Sequence, residues 1–164
     1  MEVVAQHLQH EATIRISEPS ERDLFGRSAF NRYYYATFLI TRSMFSNLNV
    51  DWTEVPHATY PELLQGKIRK RLVDGRRKAN KVGDYELAKA CNQAISAVRS
   101  LSEIMQLGFA TRVTADYNPE IPVIFLKTSG FKLNSVLISD AHQWPSRARV
   151  LTATIEDAWI QINV

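Results

Sequence analysis

The stretch Arg27–Phe45, RSAFNRYYYATFLITRSMF, constrains the fold more than any other part of the chain. Read at helical spacing, it carries two apolar stripes. Phe30, Tyr34, Phe38, Thr41 and Phe45 form one; Ala29, Tyr33, Ala36, Ile40 and Met44 form the other. Only a narrow strip stays polar: Ser28, Arg32, Tyr35 and Arg42, with Leu39 among them. A surface helix buries one stripe of roughly 100° and leaves the remainder polar. A helix with two stripes needs neighbours on most sides, so this one is predicted to be the central helix of an all-α bundle. Arg32 and Tyr35 share a face. A guanidinium taken out of water needs partners, so the polar strip is where a functional site is sought.

The rest of the chain reads as further helices around it. Val3, Val4, Leu8, Ala12 and Ile14 recur at intervals of three or four, which predicts a helix over residues 2–14. Ser17-Glu18-Pro19-Ser20 punctuates the chain, and Glu18, Glu21 and Asp23 suit the start of a helix running from about residue 19 to 46. Residues 47–60 read as a loop containing Trp52, Pro56 and His57. Pro61 opens the next helix, with Leu63, Leu64, Ile68 and Leu72 inward. Gly83-Asp84 breaks and caps. A helix over 84–106 then carries Leu87, Cys91, Ala94, Ile95, Val98, Leu101 and Met105 on one face. Gly108 is expected to bend the chain before one or two turns to Tyr117, and Asn118-Pro119 to stop it.

Beyond Pro119 the pattern changes. Val123-Ile124-Phe125-Leu126 and Phe131–Ile138 flank a Ser-Gly turn within Lys127–Gly130, which predicts a hairpin or else an ordered loop strapped over the bundle. Ser139-Asp140 caps a last helix in which Trp144, Ala148, Leu151, Ile155, Trp159 and Ile162 recur; Pro145 either kinks it or marks its start. The expectation is a single domain over residues 1–164, an up-and-down bundle of four or five helices. Its core lies in 1–119, the hairpin or loop in 120–138, and the C-terminal helix in 139–164.

Charge is unevenly placed. The chain holds 20 Lys and Arg against 17 Asp and Glu, a net charge of +3, so a basic patch is expected rather than a polybasic tail. Lys67, Arg69, Lys70, Arg71, Arg76, Arg77, Lys78 and Lys81 supply it, with Asp74 the one acid among them. This is either a solvated helix face or a phosphate-binding surface. The absence of interleaved aromatics argues against base stacking there. The single cysteine, Cys91, excludes an internal disulfide and a cysteine-based zinc site, and reads as a small buried hydrophobe. His7 and His10 are three apart but have no third ligand nearby, so neither metal nor cofactor is expected. MEVVAQHLQHE has no positive start and no apolar run. No window approaches the ~18 apolar residues of a membrane span. A cytoplasmic protein without a membrane partner is expected.

The motifs on these helices resemble those of the HEPN superfamily, compact helical bundles of prokaryotic toxins, defence systems and CRISPR nucleases. Asn31-Arg32-Tyr33-Tyr34-Tyr35-Ala36-Thr37-Phe38, with Arg42 a turn later, is similar to the family's signature helix. His57 matches a histidine common in the following loop. Arg112-Val-Thr-Ala115-Asp116-Tyr117, before Asn118-Pro119, matches an Arg-x-x-Ala-Asp-Tyr pattern. The resemblance covers residues 25–119. It implies a toxin–antitoxin or phage-defence setting, a homodimer, and binding of RNA, with metal-independent cleavage at the dimer interface where the catalytic pair is complete.

One departure bears on that chemistry. HEPN ribonucleases show Arg, four to six intervening residues, then His, and here Tyr117, Asn118 and Pro119 occupy the positions of that His. A phenol, with a pKa of about 10, is a poor general base near neutrality. Whether the chain is an enzyme is thus left open. The candidate catalytic set is Arg32, His57, Arg112, Asp116 and Tyr117. Arginines would clamp phosphate, and His57 would offer an imidazole, whose ordinary pKa lies near neutrality. Arg112 and Asp116 also fit a plain intrahelical ion pair. Tyr33 and Tyr34 read as core, Trp144 and Trp159 as core or dimer anchors, and His142 as exposed or capping. The alternative function is a non-catalytic HEPN-like module that docks onto a partner protein encoded by an adjacent gene, such as a nucleotidyltransferase or nuclease, with Val123–Leu126 offering an edge.

Overall fold

Helix α2, Pro19–Leu48, is the element that the two stripes demand. Ala29, Phe30, Tyr33, Tyr34 and Phe45 are fully buried along it, as is Thr41, while Leu39 is exposed. The structure, a computed structural model, describes residues 1–127 and 130–163. Helix α1, Glu2–Ile14, precedes α2. After α2 come two short 3-10 turns, Val50–Trp52 and His57–Thr59. A continuous helical stretch follows: α3, Tyr60–Leu63, a π turn, Leu64–Ile68, and α4, Arg69–Val82. Helix α5, Tyr85–Tyr117, leads to strands β1, Val123–Phe125, β2, Phe131–Leu133, and β3, Val136–Leu137. Helix α6, Ile138–Ile162, ends the described chain. This is a mostly α-helical bundle with a small sheet, as expected.

The π turn has a cause in the spacing of the apolar residues. Tyr60, Leu64, Ile68 and Leu72 are all buried, each four residues after the last. In an ideal α-helix each step of four drifts about 40° round the axis. One wider turn takes up that drift and keeps all four side chains inward. Beyond it Gly75 and Ala79 resume the ordinary spacing, and the basic residues fall on the outer faces. Gly83 closes α4 in the left-handed region, φ +75°, which only glycine enters without penalty. Asp84 Oδ1 then accepts from the Leu87 N–H, 3.0 Å, and caps α5.

Gly108 does not bend the chain. Helix α5 continues through it to Tyr117, because the missing side chain lets other rings approach. A Cβ there would lie 3.0 Å from Tyr34 and 3.4 Å from Trp144. Likewise Pro145 lies within α6 rather than at its start. The hairpin gains a third strand. β1 pairs with β2 (Val123 with Leu133, Phe125 with Phe131), and β2 with β3 (Leu133 with Val136), all antiparallel. Leu126 N–H donates to the Gly130 carbonyl at 2.8 Å; the Thr128-Ser129 part of the expected turn lies outside the described residues.

The chain divides into two compact units, Met1–Phe38 with Leu107–Ser146, and Leu39–Gln106 with Arg147–Val164. In the second unit Phe45 packs on Tyr60, ring centroids 4.6 Å apart, and Trp52 meets Trp159 edge-on at 5.8 Å. Arg42 Nε donates to the Thr53 carbonyl, 3.1 Å, and its Nη2 pairs with Glu54, 3.0 Å, fastening the loop after α2. Cys91 is buried there, and burial pushes its thiol pKa up.

In the first unit Phe30 meets Phe131 edge-on at 5.8 Å, seating the sheet on α2. The same helix carries the buried Arg27, 8% exposed. Its guanidinium pairs with Asp23 at 2.5 Å. It also donates to the carbonyls of Thr114, Ala115 and Asn118, at 3.2–3.3 Å, and to those of Pro119 and Ile121. Asp23 in turn accepts the Val123 N–H at 2.7 Å. One ion pair thus fastens the end of α5 and the start of β1 to α2.

Two expectations follow. Arg27→Ala leaves Asp23 and the α5 carbonyls without their cation, so unfolding in urea should show a loss of about 3 kcal/mol or more. Arg27→Lys should recover only part of it, because an ammonium lacks the planar fork. Burial also pushes the phenols of Tyr33 and Tyr60 up to about 12, from 10.0. The folded state holds those protons more tightly than the unfolded state does. Their contribution is therefore complete below pH 10 and lost as pH rises toward 12. The Tyr33→Phe/Tyr60→Phe variant should lose stability less steeply over that interval than the parent chain.

Candidate functional site

The polar strip of α2 meets the last turns of α5 in the first unit. Asn31 Nδ2 donates to Asp116 Oδ1 at 2.6 Å, and Arg112 Nε lies 2.8 Å from Asp116 Oδ2. The expected intrahelical pair is therefore formed, but its carboxylate also reaches across to α2. Although the Arg112–Asp116 distance is short, the Nε–H does not point along it and has no aligned acceptor. We read the contact as Coulombic rather than as a formed hydrogen bond. Burial works against the Arg112 charge. Asp116 first, then Tyr35 and Tyr117, outweigh it and hold the guanidinium above its ordinary pKa. The Arg112 guanidinium also lies 5.4 Å from the centroid of the Tyr117 ring. Tyr117 itself is largely exposed.

Arg32 and Asp116 line one groove of about 300 Å³, with Leu24, Arg27, Ser28, Asn31 and Ala115. Among the described residues Arg32 has neither hydrogen bond nor ion pair, so its charge is available to the groove. Two buried polar atoms of the cluster, Asn31 Oδ1 and Arg112 Nε, lack partners. Buried polar groups are normally satisfied, so such a pair marks a place for water or ligand. Four of the five candidate residues, Arg32, Arg112, Asp116 and Tyr117, belong to this unit, as does Tyr35 of the polar strip. His57 belongs to the second, where its ring lies 6.2 Å from that of Tyr60.

Helical spacing of the apolar stripes does not single out Asn31 or Arg27 as site residues. Asp23, Arg27 and Asn31 stand four apart, a polar line whose signal is visible in the sequence but was overshadowed by the aromatic stripes. His142 is exposed, as expected, and its Nδ1 lies 2.8 Å from the Tyr33 hydroxyl, which also bonds Gln9 Oε1 at 2.6 Å.

The basic helix of the second unit is outward-facing. Lys67, Arg69, Lys70, Arg71, Arg77, Lys78 and Lys81 are exposed and Arg76 is half-buried. Arg71 bonds Asn163 Oδ1 at 2.6 Å, Arg76 bonds Asn92 Oδ1 at 2.7 Å, and Arg77 sits 3.7 Å from Asp74. Lys70 and Lys81 have no such partner among the described residues. No group of three or more His, Cys, Asp or Glu that could hold a metal occurs among the described residues. No helix there is long and apolar enough to cross a membrane.

A second feature of the first unit is the open edge of β1. Val123 N–H turns to Asp23 and Leu126 N–H to Gly130. By the alternation of strand backbone, Phe125 N–H faces away from β2. A groove of about 530 Å³ runs beside this edge, lined by Ile16, Pro19, Arg22, Pro119, Pro122 and Phe125 among others. Arg22 lies over the Phe125 ring, 3.7 Å from its centroid. Ile124, Leu126 and Leu137 are exposed on or beside the sheet.

Comparison with protein-family models, with curated proteins and with solved structures finds no match. The HEPN resemblance therefore stands on its motif residues.

The ion pair invites a double-mutant cycle. Arg112→Ala and Asp116→Ala should each destabilise the chain, and the double variant should fall short of their sum by about 1 kcal/mol, as neighbouring charges in one network do. Strict additivity in thermal or urea unfolding would show the pair to be uncoupled.

Proposed function

We propose that this chain is an RNA-binding protein of HEPN type, working as a homodimer in a toxin–antitoxin or phage-defence setting. The observation that carries the reading is the α2–α5 cluster, in which Arg32 faces a groove beside Asn31, Arg112 and Asp116. The Arg32 guanidinium in this groove, with Arg112 held at Asp116, supports a place where a phosphate could be bound. The outward row Lys70, Arg77 and Lys81 adds long-range attraction for a polyanion. Cleavage, where it occurs, would be metal-independent. Arg112 and Arg32 would hold the phosphate, and Tyr117 would assist proton transfer.

Fluorescence anisotropy of the full chain with a single-stranded RNA tests this. Affinity should fall steeply and linearly in log–log form as salt rises. Lys70→Glu/Arg77→Glu/Lys81→Glu should weaken binding and flatten that slope, and Arg112→Ala should abolish any cleavage. Absence of RNA binding at low salt contradicts the reading.

A second reading is favoured by the β1 edge. A non-catalytic module could take a strand of a partner protein, one encoded by an adjacent gene, onto the unpaired backbone of Phe125, between the prolines and Arg22. Under this reading, complex formation survives Arg112→Ala and is lost when Phe125 is replaced by Pro.

A further inference from the structure

Glycine inside a helix weakens it relative to alanine, so each such glycine needs a reason. Three of them have one in the packing. A Cβ on Gly75 would lie 2.6 Å from Ile162, one on Gly26 3.1 Å from Val123, and one on Gly108 3.0 Å from Tyr34. Gly66, in the π turn, has no such neighbour. Its backbone is not left-handed, and a Cβ there would meet nothing within 4 Å. Gly66 instead lines a groove of about 260 Å³. A π turn within an α-helix frequently marks a functional site.

The groove lies within the second unit. Trp52, Val55 and Leu63 give it apolar walls, and the Trp52 ring is held by its edge-on contact with Trp159. Three polar side chains complete the lining. Glu62 and Lys67 are exposed and have neither ion pair nor hydrogen bond among the described residues. They stand five apart, and the wider turn brings both to one groove. Thr59 Oγ1 donates to the Pro56 carbonyl at 2.7 Å, so its lone pairs are left to accept. The groove therefore joins an apolar interior to one uncommitted carboxylate, one uncommitted ammonium and a hydroxyl acceptor. Its volume lies below the roughly 300–1,000 Å³ of drug-sized ligand sites, so its occupant is small.

We propose that this groove binds a free α-amino acid with an apolar side chain. The side chain lies against Trp52, Val55 and Leu63 and passes over Gly66, where a larger residue would take its place. The α-ammonium meets Glu62 and Thr59, and the α-carboxylate meets Lys67. Opposite charges on one small rim fit a zwitterion, whereas a residue within a peptide carries neither charge on its backbone. The site goes beyond the RNA-binding reading: it uses no residue of the α2–α5 cluster and none of Lys70, Arg77 or Lys81.

Titration of the full chain followed by heteronuclear NMR tests this, read at the Trp52 indole and the Gly66 amide. L-Phenylalanine should shift both signals saturably. Phenethylamine and hydrocinnamate, each with one of its two charges, should bind about two- to fivefold more weakly, the scale of one exposed ion pair. Free glycine, with both charges and no side chain, should not bind. Glu62→Gln should lower L-phenylalanine affinity by that same factor and leave hydrocinnamate unchanged. Lys67→Gln should lower it likewise and leave phenethylamine unchanged. Gly66→Leu should abolish binding by filling the groove. Gly66→Ala should raise the melting temperature by about 2 °C, since the helix gains and no neighbour is displaced. The proposal is overturned by the lack of a saturable shift with L-phenylalanine, by an affinity no greater than that of the amine and the acid, or by binding retained in Gly66→Leu. Equal binding of N-acetylphenylalaninamide would assign the groove to a side chain of a partner protein and overturn it as well. So would lower thermal stability in Gly66→Ala, because the glycine would then serve the fold. Glu62→Gln and Lys67→Gln change exposed residues, so affinities unaltered in both overturn the proposal even where Gly66→Leu fails to fold.

Discussion

The first unit depends on one buried guanidinium. An α-helix ends with carbonyls that have no intrahelical donor. At the end of α5 the donors come from Arg27 on α2, which reaches Thr114, Ala115 and Asn118 and continues to the chain that enters β1. Asp23 neutralises that cation and accepts the first strand N–H. Helix end, connection and strand are thus fixed by two side chains one turn apart. The candidate site lies on the same turns: Arg112 precedes the clamped carbonyls, Asp116 lies among them, and Asn31 follows Arg27 by one turn. The orientation of Asp116 toward Asn31 is therefore set by the clamp as much as by its own ion pair.

The parts of this architecture that rest on apolar spacing were legible in the chain. The two stripes of α2 are buried where periodicity put them, apart from the half-buried Ile40, and the ends of α1 and α4 fall at the expected punctuation. The features that were not legible depend on contacts distant in sequence. Gly108 reads as a breaker until Tyr34 and Trp144 are seen to occupy the space its side chain would fill. The π turn follows from four residues spaced by four, a pattern that a helix-only reading absorbs without notice. A third strand of two residues leaves almost no periodic signal. The role of Arg27 leaves little trace in the sequence, since apart from Asp23 its acceptors are backbone carbonyls some ninety residues away that carry no residue identity.

For the candidate site the outcome divides similarly. The pairing of Arg112 with Asp116 followed from their spacing on one helix. That Asn31 completes the cluster required knowing which face of α2 meets α5. On α5 the face carrying Ile95 was read as core, yet Arg99, Ser102, Glu103 and Gln106 make its neighbouring stripe hydrophilic. Single-helix arithmetic sees the apolar half of such a helix and misses a polar groove beside it. Each unit holds a guanidinium with no ion pair among the described residues, Arg32 in one and Arg69 in the other, each lining a groove that also contains a carboxylate.

The clamp can be tested directly by hydrogen exchange read peptide by peptide on the Arg27→Lys chain. If Arg27 holds the end of α5 and the start of β1, exchange should quicken across residues 112–126 while residues 60–82 keep their protection. Protection of 112–126 equal to that of the parent chain would contradict the account, for the helix end would then be held by something other than this guanidinium.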